Sequence, residues 1–458
     1  MKIVMIGAGY VGLVSGVCFS EFGYNVVCVD QNSDKIAALK AGRAPIYEPG
    51  LEELMARNAD RLAYSTDLAD AVAGADVIFL AVGTPSRRGD GEADLSFVHE
   101  AARQLAPHLK RGAVVVLKST VIVGTAANVR EIIKQANPKA DFSIASNPEF
   151  LREGSAIDDF LHPDRVVIGV EDARARDALS ALYRPLNLRA TPIVFTSLEN
   201  AEITKYASNA FLAMKITFIN EIADLCEKVG ADVQEIARAI GLDNRIGGRF
   251  LHPGPGFGGS CFPKDTRAIA AAAQRFGAPL RLIEKTVEIN EERTESLGDR
   301  IRQALGQPVS GRTIAVLGVA FKPNTDDCRE APSLSLIPRL QLEGAKIRAH
   351  DPQAMESASA LLPGVAWCAT PYEAAEGADA LVILTEWNEY RALDLAELAE
   401  RMTGRLIIDM RNIYRLDEMR GRGFRYVSIG RPTVEAELTV KSTSRPAVRV
   451  VAGPGRRS

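Results

Sequence analysis

Three glycines set the first constraint on this chain. Gly7-Ala8-Gly9-Tyr10-Val11-Gly12 follows an apolar run at residues 2–6 directly and opens a helical pattern at 12–22. The first glycine permits a tight turn, and the second lets backbone approach a pyrophosphate. The third allows close packing of helix on strand. Amides at the start of such a helix face phosphates. The spacing alone is a weak signal. Its weight comes from Asp30, which ends the next apolar run (25–30) eighteen residues after Gly12. An acid there holds a ribose 2′-hydroxyl and repels a 2′-phosphate, so NAD is expected rather than NADP.

Short β-branched runs continue the pattern at 76–82, 113–118, 142–145 and 165–169, with helical stretches such as 95–105 between them. Continuous apolar runs mark parallel strands buried on both faces. Their alternation with helices implies right-handed crossovers and a doubly wound sheet. A second series at 313–319, 346–350, 380–384, 405–409 and 425–429 repeats the style. Between the two, residues 199–229 read as one helix closed by Gly230, about 46 Å long at 1.5 Å per residue. A helix of that length leaves one domain for another or packs on a second subunit. Further helices are expected at 233–240, 266–276 and 280–303. The fold expected is α/β: two Rossmann-like doubly wound domains joined by a long central helix and a helical dimerisation region. The boundaries are 1–198, 199–305 and 311–435. Residues 436–458 are expected to be a disordered tail, basic and rich in proline and glycine.

The segment Gly256-Phe257-Gly258-Gly259-Ser260-Cys261-Phe262-Pro263-Lys264-Asp265 carries the strongest chemical signal. A lone cysteine is more often an inert packing residue. Cys261 fits that description poorly, because glycines, Lys264 and Asp265 surround it. A helix start near Thr266 and the Lys264 charge would both favour the thiolate that attacks carbonyls. Lys205 and Asn209 lie four apart on one face of the long helix, where they can stabilise an alkoxide as an alcohol loses hydride. Thr84 and Thr120 end strands at the carboxyl edge of the first sheet and can offer hydroxyls there, or simply cap turns. Glu149 and Glu153 can order water or bind sugar hydroxyls, although two glutamates in a first helical turn also satisfy the helix dipole. Phe321 and Lys322 take the strand-to-helix position of the second series, with Lys322 placed to meet a phosphate.

Composition removes several classes of function. A net charge of −3 argues against a surface that coats nucleic acid. Six cysteines without a C-x-x-C pair fit reduced thiols. Five histidines without ligand spacing give a metal site no support. There is no signal-peptide pattern and no apolar stretch of about 18 residues, so a cytoplasmic protein without a membrane partner is expected.

Taken in order, GAGYVG, SNPEFLREGSA, AEITKYASNAFLAMKITFINEI, GFGGSCFPKD and FKPNTDDCREAPS resemble the UDP-glucose 6-dehydrogenase family, within the nucleotide-sugar dehydrogenases. The resemblance covers roughly residues 1–430. It implies NAD-dependent four-electron oxidation of UDP-glucose to UDP-glucuronate. By it Cys261 is the nucleophile, passing through a thiohemiacetal and a thioester. Lys205 and Asn209 stabilise the oxyanion, Asp265 and Thr120 manage water and protons, and Glu153 assists hydrolysis. The matching cofactor contacts are Gly7, Gly9, Val11, Gly12, Asp30, Lys35, Thr84, Thr120 and Glu153. Lys264 and Arg329 reach NAD from outside the first domain. The UDP-sugar contacts are Glu149, Glu153, Lys205, Asn209, Arg245, Phe250, Gly258, Phe321 and Lys322. Arg245 is implied to cross from a neighbouring subunit, hence a homodimer.

Three alternatives stand beside this reading. The same chemistry can act on GDP-mannose or a UDP-N-acetylhexosamine. A two-electron hydroxyacid dehydrogenase also uses Lys and Asn four apart, yet has no need of Cys261. A non-catalytic NAD-binding regulator would keep residues 7–30 without the cysteine set.

Overall fold

The computed structural model describes residues 1–85, 87, 93–306 and 308–436. The tail expected from 436 onward therefore lies, past its first residue, outside the described residues. The apolar runs form two sheets. The first holds β1 (Lys2–Ile6), β2 (Asn25–Val29), β3 (Leu62–Ser65), β4 (Val77–Leu80), β5 (Ala113–Leu117), β6 (Phe142–Ser146), β7 (Val166–Val170) and β8 (Ile193–Thr196). Their order is β3-β2-β1-β4-β5-β6-β7-β8. The order reverses between β1 and β4, the crevice where doubly wound sheets bind ligands. β4 and β5 are buried at every position, as their unbroken apolar runs require.

The second sheet holds β9 (Thr313–Leu317), β10 (Lys346–His350), β11 (Ala366–Trp367), β12 (Ala380–Ile383), β13 (Leu406–Asp409) and β14 (Arg425–Ser428). Its order is β11-β10-β9-β12-β13-β14, parallel throughout. In the first sheet β6 and β7 pair antiparallel, the one such pair among its strands.

Both sheets share a turn device. In the first, the Asp30 carboxylate accepts the Ala8 amide at 2.9 Å, just past Gly7. In the second, Asp351 at the end of β10 accepts the Val319 and Ala320 amides at 2.7 and 3.0 Å, just past Gly318. There the resemblance ends. Asp351 is fully buried and also accepts the Trp387 indole N–H at 3.3 Å. A Cβ on Gly318 would meet Thr385 at 2.4 Å.

The long helix runs from Leu198 to Val229, 32 residues, capped by the Ser197 hydroxyl and closed by Gly230 in the left-handed region. Leu198 belongs to a core layer of the first sheet. Ile219, Ala223 and Cys226, near the other end, belong to the core of the second. This helix therefore ties one sheet's core to the other's. Three corrections to the sequence reading arise here. The cysteine helix begins at Phe262, not near Thr266, because Pro263 suits a first turn. Glu149 and Glu153 lie in no helical turn; the helix Ala156–Leu161 starts beyond them. β3, β8 and β11 were not legible, being short edge strands without a fully buried run.

Candidate active site

The glycine turn fits a dinucleotide. Gly7 has φ +101°, and a Cβ on it would meet the Ala81 carbonyl at 2.6 Å, whereas nothing approaches Gly9 within 4 Å. Gly9 caps the helix Tyr10–Glu21 with no side chain on its first amides, which leaves them open to a pyrophosphate. A Cβ on Gly12 would strike the Gly7 carbonyl at 1.9 Å, the close helix–strand contact expected of the third glycine. Val11 follows in the same first turn. Burial raises the Asp30 pKa, but the amides of Asn32 and Ala8 and the Lys35 ammonium at 3.0 Å outweigh it and hold the carboxyl below its usual value. Thr84 donates its hydroxyl to the Thr120 carbonyl at 3.0 Å, which ties the ends of β4 and β5 together.

Next to the crevice opens a cleft of about 540 Å³ that reaches Cys261, Lys205, Asn209, Glu149 and Phe250. Its walls include the loop after β6, the helix Ala156–Leu161 and the turn that follows it, the long helix, the Phe250 turn and the cysteine loop. Lys205 and Glu149 are both buried and pair at 3.1 Å. Burial lowers the lysine's pKa, yet Glu149, Cys261 and Asp265 outweigh it, and the ammonium stays charged above the ordinary lysine range. Asn209 donates to the Asp265 carboxylate at 2.6 Å, and Lys264 pairs with the same carboxylate at 2.5 Å.

Cys261 takes the N-cap position of its helix. Burial, helped by Glu149 and Asp265, holds its thiol above the ordinary cysteine value, and Lys205 offsets this only in part, so the thiolate expected from the sequence is not the favoured form in the free site. The sequence reading gave that offset to Lys264. Lys264 instead spends its charge on Asp265, and Lys205 is the cation that the thiol meets. Gly258 and Gly259 let the loop come close to the second sheet's side of the molecule. A Cβ on Gly258 would meet the Glu330 carbonyl at 2.2 Å, and one on Gly259, where φ is +83°, would meet the Phe321 ring at 2.6 Å.

Glu153 sits across this junction. It accepts hydrogen bonds from Ser260 at 3.1 Å and Thr325 at 3.4 Å, and Arg329 lies 3.6 Å away. Burial first, and then Asp327, push its carboxyl up to about 7, while Arg329 and Lys322 act against them. Lys322 is itself lowered by burial, with Glu153 and Cys261 opposing. Arg329 spends most of its guanidinium on Asp327 at 2.8 Å. Arg245 stands apart: it is exposed, pairs with Asp243 at 2.6 Å, and is not among the residues lining the cleft.

Sequence reasoning missed several groups at this site. Lys118 ends β5 in full burial, bonded to Asn147 at 3.1 Å and facing Tyr183 at 3.4 Å. Burial lowers its pKa to about 8. A lysine closing a five-residue apolar strand was the available signal. Glu202, one turn before Lys205, accepts the Gly124 and Ala126 amides at 2.7 and 2.8 Å and so fixes the turn after Thr120. The long helix thus presents buried Glu202, Lys205 and Asn209 to three separate segments: a helix start after Thr120, the loop after β6 and the first turn of the cysteine helix.

Regional models of one family match the chain in sequence. They are the UDP-glucose/GDP-mannose dehydrogenase family NAD binding domain over residues 1–187, its central domain over 199–292 and its UDP binding domain over 315–416. A UDP-glucose 6-dehydrogenase of Rhizobium meliloti (strain 1021) is 58% identical over 436 residues, covering 94% of this chain and 100% of that protein. The structure of a UDP-glucose dehydrogenase from the hyperthermophilic archaeon Pyrobaculum islandicum matches with a TM-score of 0.86 at 38% identity, over 93% of this chain and 96% of its own. A UDP-D-ManNAc dehydrogenase from Pyrococcus horikoshii matches with a TM-score of 0.83 at 28% identity, over 94% and 99%. Among the described residues no helix is long and apolar enough to cross a membrane, and no cluster of His, Cys, Asp and Glu could hold a metal ion.

Proposed function

The chain belongs to the UDP-glucose/GDP-mannose dehydrogenase family, and from that membership we propose that it oxidises UDP-glucose to UDP-glucuronate. NAD, bound at the Gly7–Gly12 turn, supplies the hydride acceptor. The observation that carries the reading is the meeting of Cys261 with the Lys205–Glu149 and Asn209–Asp265 pairs around one cleft. The choice of UDP-glucose over a UDP-N-acetylhexosamine rests on the 58% relative against the 28% one.

The residues divide the work by charge. Lys205 stays an ammonium, so it steadies oxyanions and takes no proton. Asp265, with Thr120, receives the alcohol's proton as the first hydride leaves. The Cys261 thiol then loses its proton to solvent as its sulfur bonds to the aldehyde carbon, a proton regained after the thiolate is released, and the resulting oxyanion is held by Lys205 and Asn209. Loss of the second hydride from that carbon gives a thioester. Water attacks it with its proton passing to Glu153, the carbon–sulfur bond breaks, and the thiolate is released. One alcohol, one water and two NAD give one carboxylate, two NADH and three protons. Lys322 and Phe321 take the nucleotide end of the sugar. Phe250 and Gly258 shape the sugar seat. Arg329 and Lys264 approach the cofactor.

In this reading the regions 1–198, 199–305 and 311–435 bind cofactor, carry the thiol and bind UDP respectively. Two chains pair along the long helix, and Arg245 reaches the neighbouring chain's site. Support for pairing comes from exposed Phe211, Phe218 and Leu225, seven residues apart on that helix, with Val229 one turn further. Six free cysteines support a cytoplasmic setting. The test counts NADH per product across UDP-glucose, GDP-mannose and a UDP-N-acetylhexosamine. Two NADH per UDP-glucuronate are expected, with UDP-glucose preferred and carboxylate formation lost in Cys261→Ala. A ratio near one, with free aldehyde, would count against the thiol's role.

A further inference from the structure

A second feature involves Glu153 without touching the cleft. Glu48 lies between the helices Ser33–Lys40 and Leu51–Arg57 and is buried. Its carboxylate accepts the Gly154 amide at 2.6 Å and the Ala156 amide at 2.7 Å. Its third partner is the hydroxyl of Tyr10. Tyr10 is the residue between Gly9 and Val11 in the cofactor turn, and its hydroxyl oxygen also lies 3.0 Å from the Gly154 amide. Burial first, then Glu48, push the Tyr10 hydroxyl up, so it keeps its proton and donates. From the other side the loop is closed by the second sheet's turn. Gly154 has φ +76°, and a Cβ there would strike the Asn324 carbonyl at 2.4 Å. Glu153, one residue before, therefore sits on a backbone held from both sides.

We propose that Tyr10 and Glu48 are positioning residues that fix Glu153 for thioester hydrolysis, tying the cofactor turn to the residue that activates water. Neither touches the reacting carbon. A helix cap explains the bond from Glu48 to Ala156, but it does not explain Tyr10 or the Gly154 amide, which lies outside the helix. The loop's height against Ser260 and Cys261 is what these bonds set. Water attack requires the Glu153 carboxylate within hydrogen-bond reach of the water, and a shift of about 1 Å is enough to lower such a step about 100-fold. Hydride transfer passes no proton to Glu153 and should be slowed far less than hydrolysis.

The inference rests on the cysteine chemistry proposed above, and the experiment separates the two. Tyr10→Phe and Glu48→Gln, both near-isosteric, are compared with wild type and Glu153→Gln by rapid quench with UDP-glucose and NAD. The expected result is an NADH burst within about threefold of wild type in both variants. Steady-state turnover should fall about tenfold or more, and intact-protein mass should show an acyl adduct on Cys261, as in Glu153→Gln. Equal slowing of burst and turnover, or no change in either, overturns the clamp alone. Absence of any Cys261 adduct in Glu153→Gln overturns the thioester reading and the clamp with it.

Discussion

Glu153 keeps its proton to about pH 7 because burial and Asp327 outweigh Arg329 and Lys322. The carboxylate, the form that can accept a proton from water, is populated only above that value. Decay of the acyl-enzyme, followed after a single turnover, should therefore accelerate as pH rises through about 7 and slow as pH falls below it. Glu153→Gln should flatten that limb and lower the rate at pH 8 by about 100-fold or more. A limb that persists in the variant would assign the titration elsewhere. This residue was visible in the sequence only through its motif. Its environment comes from Ser260, Thr325 and Arg329, which lie more than a hundred residues away, and no local pattern announces such contacts. Cys261 was more legible, because glycines and charges are poor surroundings for an inert thiol. Its counter-charge was not. Lys264 is adjacent in sequence but bonds to Asp265, while Lys205 approaches from another element.

The elements around the cysteine loop hold it mainly by polar anchors. Asn290, on the helix Arg281–Leu305, accepts the Phe257 amide at 2.8 Å and donates to the Phe257 carbonyl at 3.0 Å. Asn290→Ala would leave both backbone groups buried without partners. Each such group costs about 1–3 kcal/mol, so a loss of about 2 kcal/mol or more is expected in the urea unfolding midpoint. A loss below about 0.5 kcal/mol would mean that the loop finds other partners. The long helix was the most legible element: its sequence lacks glycine and proline from 199 to 229 and meets Gly230 at its end. What periodicity could not reveal was the division of its faces. Glu202, Lys205 and Asn209 turn inward as charged and polar groups, while Phe211, Phe218 and Leu225 face out. These positions depart from the usual amphipathic rule: the inward groups meet opposite charges and amides, and the outward ones are those the proposed pairing would cover.

At the scale of the molecule, the pairing proposed above rests on that outward stripe. Phe218→Glu should convert a dimer to a monomer by sedimentation and lower carboxylate formation about tenfold or more, since Arg245 would lose the site it serves across the pair. An unchanged dimer would place the interface on another face. The two sheets were legible as two series of apolar runs, and the short edges β3, β8 and β11 were not, since pairing at a sheet's margin needs few buried positions. Their internal likeness hides one difference with a kinetic cost. Where Asp30 takes one amide past Gly7 and leaves the helix start after Gly9 uncapped, Asp351 takes two amides past Gly318, with Trp387 and Thr385 packed against the same turn. In the proposed reading the first sheet's turn is the seat for the electron carrier. Both oxidations would then use it in succession, and the spent carrier would vacate while the half-oxidised sugar stays tethered to sulfur. Reduced carrier that lingers or rebinds will then stall the second half as well as the first, and the supply of fresh oxidant becomes a brake on the whole cycle.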